Sequence, residues 1–277
     1  MLDDRTTALA FIALIILTLT GVFGPMLAPY QYNVPQYEDG ELLDNAPPSA
    51  DHPLGTNSNG QDILSRLLYG ARPTILAGYV GGFMILTIGA TVGITAGYFG
   101  GAIESVLMRI TDFFYGLPLI PFAIVLTAFM GVGYWQSIFV IGAVIWRGTA
   151  RTLRSQVLQI KERPFIKSAE AVGSSRTRII IKHVLPNVAT MAVLFFALGV
   201  GRTIMYQASL SFLGVASPFI PSWGVMIRNA YQTGALLSYW YWSLPPGILI
   251  SATVVATYLF GRGYEEVSQQ SMDEDAV

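Results

Sequence analysis

The chain has 277 residues, of which 53% are hydrophobic and only 12% are charged, and its net charge is −1. Soluble chains average about 25% charged residues, so this composition favours lipid over water around much of the surface. The near-neutral charge gives no indication of a nucleic-acid partner, and the absence of cysteine excludes disulfides, thiol nucleophiles and cysteine-bound metals.

The first uncharged run is Ala8–Ala28, which has 21 residues. A bilayer core about 30 Å thick takes about 20 apolar residues in a helix, so this run is long enough to span it. Asp3 and Asp4 precede the run and no small-residue cleavage pattern follows it, whereas a signal peptide has a basic start and a shorter apolar core. We therefore predict that residues 1–29 form an N-terminal transmembrane helix.

Residues 30–72 are polar and contain six Asp or Glu side chains, which predicts a small acidic extracytoplasmic segment. Residues 73–262 hold enough apolar sequence for a core of five further spans, with a turn near Gly131 and Gly133 between the third and fourth spans, which extend into charged flanks. The predicted fold is an all-α polytopic membrane protein of about six transmembrane helices. The runs are Pro73–Ile103 for span 2, Phe113–Trp146 for spans 3 and 4, Val184–Gly201 for span 5 and Leu244–Gly261 for span 6.

Basic residues indicate how these spans are oriented, because cytoplasmic loops carry an excess of Lys and Arg. With six spans, twelve of the sixteen basic residues fall on the side that holds both chain termini and residues 147–186. We therefore predict cytoplasmic N- and C-termini and a long cytoplasmic loop at 147–186. Residues 263–277 are expected to be an unstructured acidic cytoplasmic tail, because they are rich in Asp and Glu and contain no apolar run that could anchor them.

Glycines at positions 89, 93, 97 and 101 recur every four residues and so fall along one face of span 2. Small residues with this spacing let helices approach closely in lipid. The pattern predicts close packing of span 2, either within the chain or against a second chain.

The cytoplasmic loop has the pattern of two short helices joined at a glycine. Pro164 is suited to the first turn of a helix, because its missing N–H is not needed there. Gly173 is a typical helix end, and Ser174 and Ser175 can cap a second helix that leads to Pro186 at the start of span 5.

The string FIKSAEAVGSSRTRIIIKHVLPN resembles the EAA loop of binding-protein-dependent ABC importer permeases. That pattern places Lys167, Ser168 and Ala169 on its first three positions, so that Lys167 replaces the usual acid. Gly173 matches its glycine and Leu185-Pro186 its Leu-Pro. The resemblance implies contact with an ATPase through this loop, at Lys167, Ser168, Ala169, Glu170, Gly173, Leu185 and Pro186.

Other strings are similar to the dipeptide and oligopeptide branch of this family. Asn57 and Gln61 depart from the Asp and Arg usual in that branch, and Gln207 stands where such chains often carry Glu. The similar strings are HPLGTNSNGQDILSRLLYGAR at 52–72, LSFLG at 210–214, PSWG at 221–224 and LPPG at 244–247.

The resemblance implies a permease subunit in the cell membrane, in contact with lipid, that forms half of a translocation path with a second permease. Two ATPase subunits would bind ATP and Mg, and an extracytoplasmic solute-binding protein would deliver the solute. This chain is expected to hold no cofactor and to be no enzyme, since it lacks the G-x-x-x-x-G-K-[ST] phosphate loop. Peptides are the expected solute, with nickel chelates, glutathione or oligosaccharides as alternatives and a stand-alone carrier or channel as a remote one.

Two polar residues of span 5 are candidates for the translocation path. Arg202 lies about 27 Å along a helix that starts near Val184, at 1.5 Å per residue, which predicts a position near the exterior interface. Its side chain would then either extend to that interface or line a vestibule. Gln207 follows five residues later and is the second candidate.

Overall fold

The computed structural model describes residues 5–274, and the side-chain environments of residues 5–266. Almost all of the regular structure is helical, with one two-stranded hairpin and one π-helical turn at Ile180–Val184. The elements are α1 (Arg5–Leu27), β1 (Tyr37–Glu38), β2 (Glu41–Leu42), α2 (Ile63–Phe99), α3 (Gly101–Gly116), α4 (Leu119–Met130), α5 (Tyr134–Ile145), α6 (Arg147–Lys161), α7 (Pro164–Ala171), α8 (Arg176–Ile179), α9 (Leu185–Phe212), α10 (Trp223–Gln232), α11 (Ala235–Ser238) and α12 (Trp240–Glu274).

Within the described residues, four helical stretches are long and apolar enough to cross a membrane. A fifth is obtained if α3 and α4, which meet at 93°, count as one bent span. The predicted fourth span corresponds to α5, which has 12 residues and runs on through helical Trp146 into charged α6. The prediction of an all-α polytopic membrane protein is confirmed. The four stretches are Arg5–Leu27, Ile63–Phe99, Arg176–Phe212 and Trp240–Glu266.

Several predicted helix ends are wrong. Span 2 begins at Ile63 instead of Pro73, because the Asp62 carboxylate accepts a hydrogen bond from the Ser65 N–H at 2.7 Å and caps the helix. The predicted segment 30–72 therefore loses its last ten residues to α2. Span 5 does not end at Gly201 but continues to Phe212.

The predicted unstructured tail is also wrong, because α12 continues to Glu274. Before its last turns, an exposed Arg262–Glu266 pair at 3.2 Å joins two residues one helical turn apart. Gly263 packs directly on Thr7 of α1. Residues 275–277 lie outside the described residues.

Both ends of the described chain lie at the same end of the bundle. Phe11 of α1 stacks on Phe260 of α12, with ring centroids 5.5 Å apart. Helix α1 runs antiparallel to α2, because Gly24 near its end packs on Leu68 near the start of α2. The beginning of α1 therefore lies toward the last turns of α2, against which Ile166 of α7 is buried.

The glycine face of α2 packs within the chain. Gly89, Gly93 and Gly97 all face α6, and a methyl group on Gly93 would lie 2.5 Å from the carbonyl oxygen of Ala150. Glycines 78 and 82 face α9 in the same way. Gly101 is not part of this face, because the helix breaks before it and nothing lies within 4 Å of its methyl position. Of the two alternatives left open, the structure supports packing within the chain.

The segment between α1 and α2 folds over the opposite end of the bundle. Its hairpin turns at Asp39 and Gly40, which both have positive φ, as type I′ turns require. His52 Nδ1 lies 2.9 Å from the buried Asp62 carboxylate, so the segment is attached to the residue that caps α2. The Tyr241 hydroxyl donates to the Asn45 carbonyl at 2.9 Å and joins the segment to α12.

Candidate coupling and translocation site

The predicted helix–glycine–helix loop is present, and local hydrogen bonds fix both of its ends. Pro164 occupies the first turn of α7. After α7, the Ser174 N–H donates to the Ala169 carbonyl at 3.0 Å and the Gly173 N–H to the Glu170 carbonyl at 2.9 Å. This pair of bonds is a Schellman motif, and it explains the glycine, because φ at Gly173 is +82°.

Helix α8 begins at the predicted cap and joins α9 without a break. The Ser175 hydroxyl accepts from the Arg178 N–H at 3.4 Å. The π-helical turn Ile180–Val184 follows, and the Leu185 N–H bonds to the Ile180 carbonyl, five residues back. A wider turn relieves the clash that Pro186 would make with the preceding turn of an α-helix. Leu185 and Pro186 therefore lie inside one continuous helix, Arg176–Phe212.

One face of the loop is anchored in the protein and the other is exposed. Ile166 of α7 and Ile179 of α8 are buried in a cluster that includes Tyr98 of α2 and Val157 of α6. Val172, at the end of α7, is 86% exposed, and Phe165 is also exposed. The loop therefore presents a small surface with two apolar side chains while its backbone is held to α2 and α6.

Three of the remaining predicted residues of α7 lie on this exposed side. Lys167 Nζ pairs with Glu162 Oε2 at 2.9 Å, and the ammonium group holds the pKa of Glu162 below its usual value. Ser168 and Glu170 are exposed, and Ala169 is half-buried. Lys167 thus stands where the family pattern has an acid, and an acid in the turn before α7, Glu162, pairs with it.

The two polar candidates of α9 lie on different faces. Gln207 is buried; its Nε2 donates to the Ser211 hydroxyl at 3.1 Å, and its Oε1 has no partner. Arg202 is exposed, and because α9 continues to Phe212 it lies in the interior of the helix instead of near its end. The next residue, Thr203, packs against Gly81, the middle of α2.

Sequence reasoning missed the surroundings of Arg202. Its Nη1 lies 3.8 Å from the position of a methyl group on Gly148, and the Tyr115 hydroxyl lies 3.6 Å from the same position. The guanidinium carbons of Arg147 and Arg151 lie 5.0 and 4.1 Å from the centroid of the Tyr115 ring. The four-residue spacing of these two arginines was a visible signal that they share one face of a helix.

Charged side chains also join α3 to α6. Asp112 Oδ1 lies 2.5 Å from Arg151 Nη2, and Glu104 Oε1 accepts from Arg154 Nε at 2.6 Å. Both acids of α3 therefore pair with the basic face of α6 and join the two helices.

These features define an all-α multi-span membrane protein. It has long apolar helices, a core with few charges and a short helix exposed at one end of the bundle. Among the described residues, no group of three or more His, Cys, Asp or Glu is placed to hold a metal ion.

Residues 89–271 match the family described as "Binding-protein-dependent transport system inner membrane component". The chain is 36% identical over 255 residues, or 91% of its length and 78% of the relative's, to the dipeptide transport system permease protein DppC of Bacillus subtilis. It is 34% identical to the glutathione transport system permease proteins GsiD of Pectobacterium atrosepticum (85% of this chain, 77% of the relative) and Escherichia coli (94% and 84%). The chain belongs to this family and is a multi-pass permease subunit of the cell membrane.

Proposed function

We propose that this chain forms half of the translocation path of an ATP-driven importer of short peptides, and that α7 receives the movement of a partner ATPase. The observation that carries this proposal is the structure of the loop. A short helix, which begins at Pro164 and ends in a Schellman motif, presents exposed apolar side chains at the end of the bundle where the described chain begins and ends.

The loop is built to pass displacement on to two long helices. Helix α7 follows α6 after a turn of two residues, Glu162 and Arg163. On its other side, the helix that starts at Arg176 runs unbroken to Phe212, about 55 Å at 1.5 Å per residue. A force on α7 would therefore move α6 and α9 together. Because Arg202 belongs to α9, it would move with that helix.

ATP and Mg would be bound by two partner ATPase subunits, because this chain has no phosphate-binding loop. A second permease subunit would supply the other half of the path. The segment between α1 and α2 lies at the end opposite α7, which supports an extracytoplasmic position where a solute-binding protein would dock. Both termini would then be cytoplasmic, as the basic residues predict.

Peptides are the solute that the relatives favour, since their names specify dipeptide and glutathione transport. Both solutes carry amide bonds and a free carboxylate. Nickel chelates and oligosaccharides are the alternatives within the same kind of importer.

The test is to replace Gly173 in the complete transporter, reconstituted with its ATPases and binding protein. Gly173→Pro removes the N–H that bonds to Glu170 and cannot adopt φ +82°. We expect the complex to assemble and to hydrolyse ATP while peptide uptake per ATP falls at least tenfold. Gly173→Ala, which strains the same backbone by about 1–2 kcal/mol, should give a smaller loss.

Gly131 offers a matched control at a distant turn. Its φ is +85° and nothing lies within 4 Å of its methyl position, as at Gly173. Gly131→Ala should therefore impose the same local strain without affecting uptake per ATP. Normal uptake by an assembled Gly173→Pro transporter would exclude the coupling role of α7.

A further inference from the structure

Three guanidinium groups meet around one tyrosine between α3, α6 and α9. Arg147 and Arg151 lie over the ring of Tyr115, 5.0 and 4.1 Å from its centroid. From α9, Arg202 Nη1 lies 3.8 Å from the methyl position of Gly148, and the Tyr115 hydroxyl lies 3.6 Å from the same position. Because Gly148 has no side chain, no side-chain atom fills this position, and Tyr115 is 41% exposed.

The cluster has more positive than negative charge. Arg151 is paired with Asp112 at 2.5 Å, and Arg147 donates to the Phe114 carbonyl at 2.8 Å. Arg202 forms no hydrogen bond or ion pair with any described residue. Three cations thus share one carboxylate, which leaves two positive charges without a counterion among the described residues.

The position of Arg202 makes this imbalance costly. The side chain belongs to a spanning helix, and its neighbour Thr203 packs against the middle of α2. Met205, one turn further on, is an exposed apolar residue on α9. A charge in a membrane segment is expensive unless it faces a partner or a water-filled path, and such residues are usually functional.

The chemistry of the cluster selects a carboxylate. Guanidinium groups bind carboxylates through two parallel hydrogen bonds, which a compact ammonium group cannot reproduce. Arg147 and Arg151 are already positioned by the Tyr115 ring, so less conformational freedom is lost when an anion binds. The Tyr115 hydroxyl can supply a further donor.

We propose that Arg202, Arg147 and Arg151 form a carboxylate-binding site on the translocation path, at which the solute's carboxylate is held during transport. This inference rests on the proposed function, because it takes the solute to be a peptide with a free C-terminus. The same carboxylate chemistry could instead come from an acidic side chain of the second permease subunit, and the experiment separates the two sources.

The experiment measures uptake of dialanine and of dialanine amide by the complete transporter in proteoliposomes. The binding protein also discriminates between these two solutes, but its contribution is the same for every permease variant and cancels when variants are compared. For Arg202→Gln we expect the preference for the acid over the amide to fall about tenfold or more. Arg202→Lys should lie between the two.

Arg109→Gln is the matched control. Arg109 is an exposed arginine of α3 that lies outside the cluster and forms no ion pair with a described residue, and its substitution should leave the acid-to-amide preference unchanged. If Arg202→Gln keeps the preference but lowers the recovery of the permease pair, the site is supported with the partner subunit as the source of the carboxylate. If neither preference nor recovery changes, the site is excluded.

A second readout does not depend on uptake. Phenylglyoxal modifies accessible arginines, and mass spectrometry measures its reaction at Arg202 and Arg109 in the assembled complex. Dialanine should slow modification of Arg202 severalfold, dialanine amide should not, and Arg109 should react equally with both. If the wild-type transporter imports neither solute, the proposed import of short peptides fails. Protection of Arg202 by dialanine would then still support the carboxylate site, and equal modification with both solutes would exclude it as a site for peptide carboxylates.

Discussion

Replacing Gly93 with Ala tests the packing of α2 against α6, on which the position of the exposed loop depends. A methyl group at Gly93 would lie 2.5 Å from the Ala150 carbonyl oxygen and 3.0 Å from Leu153 Cβ. Ordinary van der Waals contacts begin at 3.4 Å, so α6 must move away by nearly 1 Å. The nearest atom is backbone and cannot rotate aside. Overpacking of this kind costs about 1–3 kcal/mol.

The assay is thermal unfolding of the purified permease complex in lipid nanodiscs. A loss of this size should lower the unfolding temperature by roughly 2–10 °C. Gly247→Ala is the matched control, because Gly247 is also in a long helix but has nothing within 4 Å of its methyl position. There the substitution should be neutral or stabilising by about 0.5–1 kcal/mol. A Gly93→Ala complex that unfolds at the wild-type temperature would refute the close packing of α2 and α6.

Two further predictions concern the attachment of α7 and of α3. Ile166→Ala removes a fully buried side chain and should lower the stability by about 2–5 kcal/mol. Amide hydrogen exchange in residues 164–171 should become severalfold faster. Unchanged exchange would show that α7 is held in another way. For Glu104 and Arg154, which are 22% and 31% exposed, a double-mutant cycle to Gln and Met should give a coupling energy below about 1 kcal/mol. A larger coupling would indicate a pair screened from water by a partner subunit.

The loop could be predicted from the sequence because its signals act over a few residues. Pro164 permits only the first turn of a helix, Gly173 permits the left-handed conformation that ends it, and Ser175 caps the next helix. Each signal depends on backbone chemistry at its own position. The surrounding membrane bundle does not alter them.

The ends of the long helices could not be read from uncharged runs. An uncharged run ends at the first charged residue, so the predicted span 5 ends at Gly201, just before Arg202. Helix α9 continues for ten residues beyond Arg202, to Phe212. A charge can occupy the interior of a spanning helix when it faces a partner or a water-filled path. Arg202 Nη1 and the Tyr115 hydroxyl both lie within 4 Å of the methyl position of Gly148. The start of α2 is a different case, because the sequence itself contains its capping residue, Asp62. A search for uncharged runs does not use that signal.

Pairs of neighbouring side chains accompany the departures from the family pattern. Asn57 and Gln61 both differ from the residues expected there, and their side chains bond to each other, Asn57 Nδ2 to Gln61 Oε1 at 2.9 Å. Lys167 replaces an acid and pairs with Glu162 at 2.9 Å. The first pair replaces an expected pair of charges by two amides, and the second keeps an ion pair while moving the acid into the turn before α7.

In these two pairs, side-chain charges differ from the family pattern although the local backbone structure is the expected one. The backbone of the loop depends on Pro164, Gly173 and Ser175, none of which differs from what the helix–glycine–helix geometry requires. The Lys167–Glu162 pair is exposed, so its charges can change without altering that backbone. If α7 contacts a partner ATPase as proposed, that ATPase must accommodate a cation where the family pattern has an acid.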